Sequence, residues 1–167
     1  IFEYSPAGDL DTNVSDYSRP VTSRSTIKRL KVKKNKQSYD IRDSDVLISG
    51  GQGIKENFSE LYRLAKALNG NVSATRKLVD QGIAPQSIQV GQTGKTVSPR
   101  LYIALGVHGS MQHIAGLRQV ESIISINRSI HAPICSVSDI VVQGDARKFI
   151  DRLMEKIEIY RSGKKRS

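Results

Sequence analysis

The sequence predicts an α/β domain with a parallel sheet flanked by helices on both faces, a three-layer α/β/α arrangement. Two observations lead there. Short apolar runs alternate with helical patterns, the grammar of crossover units, and several runs are apolar enough to be buried on both faces, as parallel strands are. A third bears on function: polar and Gly-rich residues follow the apolar runs, as in SGGQG, SATR, VGQTGKT, VHGS, INR and QGD. In such sheets ligands bind beyond the carboxyl ends of the strands, so this distribution points to a phosphate-bearing ligand.

In order along the chain, residues 1–40 differ in composition from the rest. Asp9 to Arg24 is rich in Asp, Ser, Thr and Asn and reads as a linker. Leu30-Lys31-Val32-Lys33 alternates like a half-exposed strand, its lysines discouraging edge pairing. From Asp45 the α/β pattern begins. DVLIS (45–49) is a strand ending in the turn Gly50-Gly51-Gln52-Gly53. Asn57 is placed to cap FSELYRLAKALNG, where Phe58, Leu61, Leu64, Ala65 and Leu68 share a helical face, with Gly70 as the stop. NVSA (71–74) is a second strand, and TRKLVDQG (75–82) a short helix with Thr75 as N-cap and Gly82 just past its end. SIQVG (87–91) reads as a third strand or extended segment and LYIALGV (101–107) as a strand buried on both faces. SMQHIAGL (110–117) is a short helix, SIISIN (122–127) a strand, and APICSVSDIVVQG (132–144) extended. DARKFIDRLMEKIEIY (145–160) is an amphipathic helix whose stripe is Phe149, Leu153, Ile157 and Tyr160, and 161–167 form a basic tail.

Composition excludes several classes. A chain of 167 residues has the length of one domain, and no run approaches 18 apolar residues. The first residues lack a secretory pattern, and a chain beginning at Ile1 rather than Met reads as a piece of a longer one. The lone Cys135 forms neither an internal disulfide nor a cysteine zinc cluster and fits a reducing compartment. The net charge of +10 resides in two segments, Arg24 to Lys36 and the tail from Arg161; the other fifteen basic residues face sixteen acids. With few aromatics interleaved, this is not a nucleic-acid surface.

Two motifs fail on spacing. GQTGKT (91–96) would be a P-loop only with glycine where Gln89 stands, and Pro99 interrupts the helix that should follow. SGGQGIKEN lacks the third glycine of a dinucleotide fingerprint. His108, His113 and His131 have no carboxylate or cysteine at ligand spacing, so no metal site is expected. His113 is equally readable as a core histidine and Asp145 as a helix cap. Arg76, in the first turn of a helix, opposes the macrodipole, which suits a residue serving an anion.

VGQTGKTVSPRLYIALGVHGSMQHIAGLR (90–118) resembles the C-terminal flavin-binding domain of the electron transfer flavoprotein alpha subunit. ISGGQGI, SATRKLVDQGIAP and APICSVSDIVVQGD extend the likeness over residues 41–160. The resemblance implies a deoxyhypusine-synthase-like NAD/FAD-binding fold holding one FAD, with residues 1–40 the end of a preceding domain. It implies that Val90, Gly91, Gln92, Thr93 and Gly94 wrap the flavin, with the Thr93 hydroxyl near N5. Gln52, Thr75 and Arg76 lie on the same side, the guanidinium beside the isoalloxazine, and His113 approaches the pyrimidine carbonyl. His108, Gly109, Ser110, Met111 and Gln112 serve ribityl and phosphate, and Asn127 and Asp145 the adenosine end. Gln52 stands where the family usually has Arg, and His108 where it often has Ser. The implied role is an electron carrier, not an enzyme with its own substrate. It pairs with a beta subunit between donor dehydrogenases, those of fatty acid β-oxidation among them, and a downstream acceptor. The implied location is the bacterial cytoplasm or the mitochondrial matrix. The alternative is an NAD-binding enzyme or nucleotide-binding module on the same type of sheet.

Overall fold

In the computed structural model residues 40–164 are described, and the basic strand and linker read within 1–39 lie outside them, as do tail residues 165–167. Five parallel strands form one sheet: β1 (Val46–Gly50), β2 (Asn71–Ala74), β3 (Leu101–Leu105), β4 (Ser122–Asn127) and β5 (Ile140–Gln143), in the order β2-β1-β3-β4-β5. Ile48 pairs with Val72 on one side and Ile103 on the other, and Ile103 with Ile124. From β1 the chain moves outward to β2, then returns past β1 to β3. The order therefore reverses between β1 and β3, the place where open α/β sheets form a ligand crevice.

The alternation of side chains builds two cores. Ile48, Val72, Ile103, Leu105 and Ile126 face α1 (Glu60–Ala67), α2 (Arg76–Asp80) and α4 (Ala146–Lys164). Leu47, Tyr102, Ala104 and Ile123 face the opposite layer, made of the 88–97 turns, the four-residue α3 (Met111–Ile114) and a 3-10 turn over Pro133–Val137. Leu47, Ile48 and Leu105 are fully buried, each contributing about 1.5–3 kcal/mol. The three-layer α/β/α architecture stands, with one outer layer much thinner than the other.

Several local readings need correction. A 3-10 segment over Gln52–Asn57 takes up Asn57, so Ser59 rather than Asn57 precedes α1, and without a side-chain capping bond. At its other end the left-handed residue is Asn69 (φ 52°). Gly70 closes the turn by donating to the Ala65 carbonyl, and a Cβ there would sit 2.6 Å from the Val46 carbonyl oxygen. Residues 87–91 do not form a ladder strand: a 3-10 turn occupies Gln86–Ile88, followed by single bridges at Gln89 and Val90. The 132–144 stretch is extended only from Ile140, because Pro133 opens a helical turn, the position its fixed φ favours. Helix α4 buries Ala146, Ile150 and Met154, with Phe149, Leu153 and Ile157 at the margin and Tyr160 70% exposed. The buried stripe thus runs one position away from the bulky residues that the pattern favoured. The helix also runs on to Lys164, into the segment read as tail.

Candidate functional site

A cleft of about 420 Å³ opens beyond the carboxyl ends of β1, β2 and β3, at the reversal of strand order, within the usual range for ligand pockets, roughly 300–1,000 Å³. Twelve residues read as binding candidates line it together: Gln52, Thr75, Arg76, Val90, Gly91, Gln92, Thr93, His108, Gly109, Ser110, Gln112 and His113. Lys77 and Gln89 line it as well. Neither was read as a binding residue in the sequence. The available signals were a second cation in the first turn of α2 and a polar residue breaking the apolar run before VGQTG.

Close backbone approach shapes the cleft. A Cβ on Gly51 would meet the Gly106 carbonyl oxygen at 2.4 Å, so the turns after β1 and β3 touch main chain to main chain. Gly91 has φ 138°, open to glycine alone, and a Cβ there would lie 2.9 Å from the Gln112 carbonyl oxygen. The 89–95 turn is cross-tied: Gly94 N–H donates to Gly91 O, Lys95 N–H to Gln89 O, and Gln92 N–H to Gln112 O at 2.7 Å. Gln89, 4% exposed, donates its Nε2 to Thr93 Oγ1 at 3.0 Å. The Lys95 ammonium pairs with Asp40, 3.0 Å distant, and does not line the cleft. Asp40 itself is held well below the usual carboxylate range, chiefly by its hydrogen bond from the Arg42 side chain.

His113 is both core and site. It is 5% exposed, and its Nε2 lies 2.8 Å from the hydroxyl of the fully buried Tyr102. Burial pushes its pKa down from 6.5 to about 4, the Val90 backbone offsetting this only in part. The ring is therefore neutral at pH 7. Two buried polar atoms of cleft residues, His113 Nδ1 and Gln52 Oε1, have no hydrogen-bond partner among the described residues. Such orphans cost roughly 1–3 kcal/mol each, so the cleft lacks hydrogen bonds that a ligand supplies.

The remaining candidates divide. Arg76 is 65% exposed along its side chain and pairs loosely with Asp80 at 3.4 Å, one turn along α2. Thr75 occupies the N-cap position of α2 but makes no side-chain cap bond. Ser110 caps α3 through its Oγ, which accepts from the His113 backbone N–H; four residues give that helix little macrodipole, and local N–H groups matter more. Four candidates do not line the cleft. Gly94 packs on the Gln89 carbonyl, and Met111 is 84% exposed. Asn127 donates its Nδ2 to the Val107 carbonyl and accepts from the Ser129 N–H. Asp145 caps α4 through the Arg147 and Lys148 N–H groups and pairs with Arg128, which draws its pKa below the ordinary value. Among the described residues no group of three His, Cys, Asp or Glu side chains could share a metal ion, and no helix is long and apolar enough to cross a membrane.

A parallel sheet with a polar, glycine-shaped cleft at the reversal of strand order defines a nucleotide-cofactor-binding domain. Residues 40–118 match the family described as electron transfer flavoprotein FAD-binding domain. The chain is 38% identical over 167 residues to the electron transfer flavoprotein subunit alpha of Clostridium acetobutylicum, covering 95% of this chain and 49% of that one. It is 38% identical over 153 residues to a probable mitochondrial alpha subunit of Caenorhabditis elegans, covering 90% and 43%. It is 44% identical over 120 residues to the mitochondrial alpha subunit of Arabidopsis thaliana, covering 71% and 33%. The chain belongs to the electron transfer flavoprotein alpha-subunit family and carries its FAD-binding domain. It spans about a third to a half of the length of these curated relatives.

The residues present fit that cofactor. Gln52 Oε1 and His113 Nδ1 need partners, which the ribityl hydroxyls and the polar edge of a flavin offer. Arg76 and Lys77 place two cations at the same cleft, as a diphosphate or an anionic flavin requires.

Proposed function

We propose that this chain is the cofactor-holding part of an electron carrier that works as an alpha subunit with a beta partner. Its cleft holds the flavin end of FAD. The single observation that carries this reading is the convergence of twelve motif residues on one cleft that contains two unpartnered buried polar atoms. FAD supplies one- and two-electron chemistry when bound.

The chain's part is to bind, orient and set the field. Val90 to Gly94 form the tied turn that would lie against the flavin. Because Gln89 donates to Thr93 Oγ1, the Thr93 hydroxyl proton stays available, and we assign it to N5. Arg76, always charged, favours negative charge on the flavin and does so from a solvent-facing position shared with Asp80. Gln52 and Thr75 lie on the same side, and His113 serves the pyrimidine carbonyl. His108, Gly109, Ser110 and Gln112 serve ribityl and phosphate, with the Met111 backbone beside them. Asn127 and Asp145 shape the adenosine end by holding their loops rather than by lining the cleft. We assign no substrate turnover of its own to the chain: donor dehydrogenases deliver electrons and a downstream acceptor removes them. Residues 1–40 are assigned to the end of a preceding domain and 41–160 to the FAD domain. The compartment that suits it is the bacterial cytoplasm or the mitochondrial matrix.

Co-expression with a beta subunit, followed by gel filtration and a visible spectrum, tests this. One flavin per heterodimer is expected; a colourless heterodimer overturns the reading.

A further inference from the structure

Beneath the cleft lies a set of buried polar groups that cofactor contact leaves unexplained. Tyr102, in the middle of β3, is fully buried, at a position in a parallel sheet that normally takes an aliphatic residue. Its hydroxyl sits 2.8 Å from His113 Nε2. The Ser49 and Ser73 hydroxyls, on β1 and β2, are also fully buried and have no hydrogen-bond partner among the described residues. Ser49 pairs in register with Ser73 on the neighbouring strand. A phenol in such a place is tolerated only when its hydroxyl is satisfied.

A neutral imidazole has two tautomers. In one, the Tyr102 O–H donates to Nε2 and the ring proton sits on Nδ1. In the other, Nε2–H donates to the phenol oxygen, and the phenol proton must find a serine. Two considerations favour the first. A phenol is a stronger donor than an imidazole N–H, and an imidazole nitrogen a stronger acceptor than a phenol oxygen. Neither serine hydroxyl is hydrogen-bonded among the described residues, so in the second arrangement the phenol proton has no acceptor, whereas in the first it is met by Nε2 at 2.8 Å. Nδ1 itself has no hydrogen bond among the described residues and is left to the ligand.

We propose that Tyr102 is a positioning residue: by donating its hydroxyl to His113 Nε2 it fixes the Nδ1–H tautomer, so that the cleft presents a buried N–H donor to a carbonyl group of its ligand. The identity of that carbonyl, the flavin pyrimidine C2=O, rests on the FAD reading; the tautomer does not. A ligand offering an N–H at this point would be rejected, because two donors would face each other.

The test is two-bond ¹⁵N–¹H NMR of the labelled 167-residue chain at neutral pH, for wild type and Tyr102→Phe, each with and without added FAD. The expected wild-type signature is His113 protonated at Nδ1. Tyr102→Phe removes only the hydroxyl; it shifts the ring toward Nε2–H and weakens FAD binding by about two- to tenfold, the range of one neutral hydrogen bond. Wild-type His113 protonated at Nε2, or an unchanged tautomer in Tyr102→Phe, overturns the proposal. Should the variant fail to fold, the wild-type spectrum still decides. Failure of FAD to bind while the tautomer is as stated counts against the cofactor reading and supports the Tyr102 assignment.

Discussion

His113 gives the chain an acid-sensitive stability whose size follows from its burial. Burial lowers its pKa from 6.5 to about 4, with no charged neighbour among the causes. The unfolded chain therefore binds a proton in this range that the folded chain refuses, and stability falls as pH falls below about 6.5. At about 1.4 kcal/mol per tenfold change in proton concentration, the full loss is about 3 kcal/mol, of which about 2 kcal/mol has gone by about pH 5. Asp40 and Asp145, held below their ordinary value of 3.8 chiefly by hydrogen bonds from Arg42 and Arg128, contribute stability that is lost only at lower pH. The window above about pH 5 belongs to His113 among these groups. His113→Gln keeps an acceptor for Tyr102 and removes the titration. Urea unfolding at a series of pH values, with a slope of about 1–3 kcal/mol/M, should show the wild-type midpoint falling by roughly 1 M between about pH 7 and 5. The variant midpoint should stay nearly level. Equal pH dependence in both proteins refutes the reasoning.

Three further outcomes are expected. Arg76→Ala should lower the first reduction potential of bound flavin: a charge at about 4 Å is worth roughly 4 kcal/mol at a dielectric near 20, and exposure leaves about a quarter, on the order of 40 mV. Arg76→Lys should keep part of that in spectroelectrochemical titration, and a shift under about 10 mV for Arg76→Ala returns the guanidinium to its ion pair with Asp80. Gly91→Ala, which needs φ 138° and crowds the Gln112 carbonyl, should cost about 1–3 kcal/mol of stability by urea unfolding and impair FAD binding; a wild-type midpoint would show that the turn relaxes. The basic segment Arg24–Lys36 should bind duplex DNA no tighter than the roughly 10⁻⁴–10⁻⁶ M of non-specific contact at physiological salt. Submicromolar binding in a mobility-shift assay would contradict that.

How far the sequence could be read depended on how local the cause was. SIISIN becomes β4 residue for residue, and LYIALGV is buried on both faces, because a short, mainly apolar run bounded by turn residues is what a buried parallel strand requires. The cleft was legible for the same reason: turn residues must follow strands. Asn57 and the 87–91 segment were misread because 3-10 turns carry no strong periodic signature. Gln89 was hidden in an apolar run although it braces Thr93. Asn127 and Asp145 sit at strand ends as motif residues should, yet their side chains satisfy neighbouring backbone, a choice made by loop geometry alone. The Tyr102–His113 bond joins a strand to a helix eleven residues on, and no spacing rule selects it.

The central claim is that the cleft between β1, β2 and β3 holds the flavin of FAD. Its most direct measurement is a flavin-fluorescence titration of FAD into the chain, alone and with the beta partner, with NAD as competitor. Saturable binding of one FAD that is weak alone, tightens with the partner, falls on Gly91→Ala and resists NAD is the predicted result. No saturable binding even with the partner, or displacement of FAD by NAD at similar concentration, would contradict it.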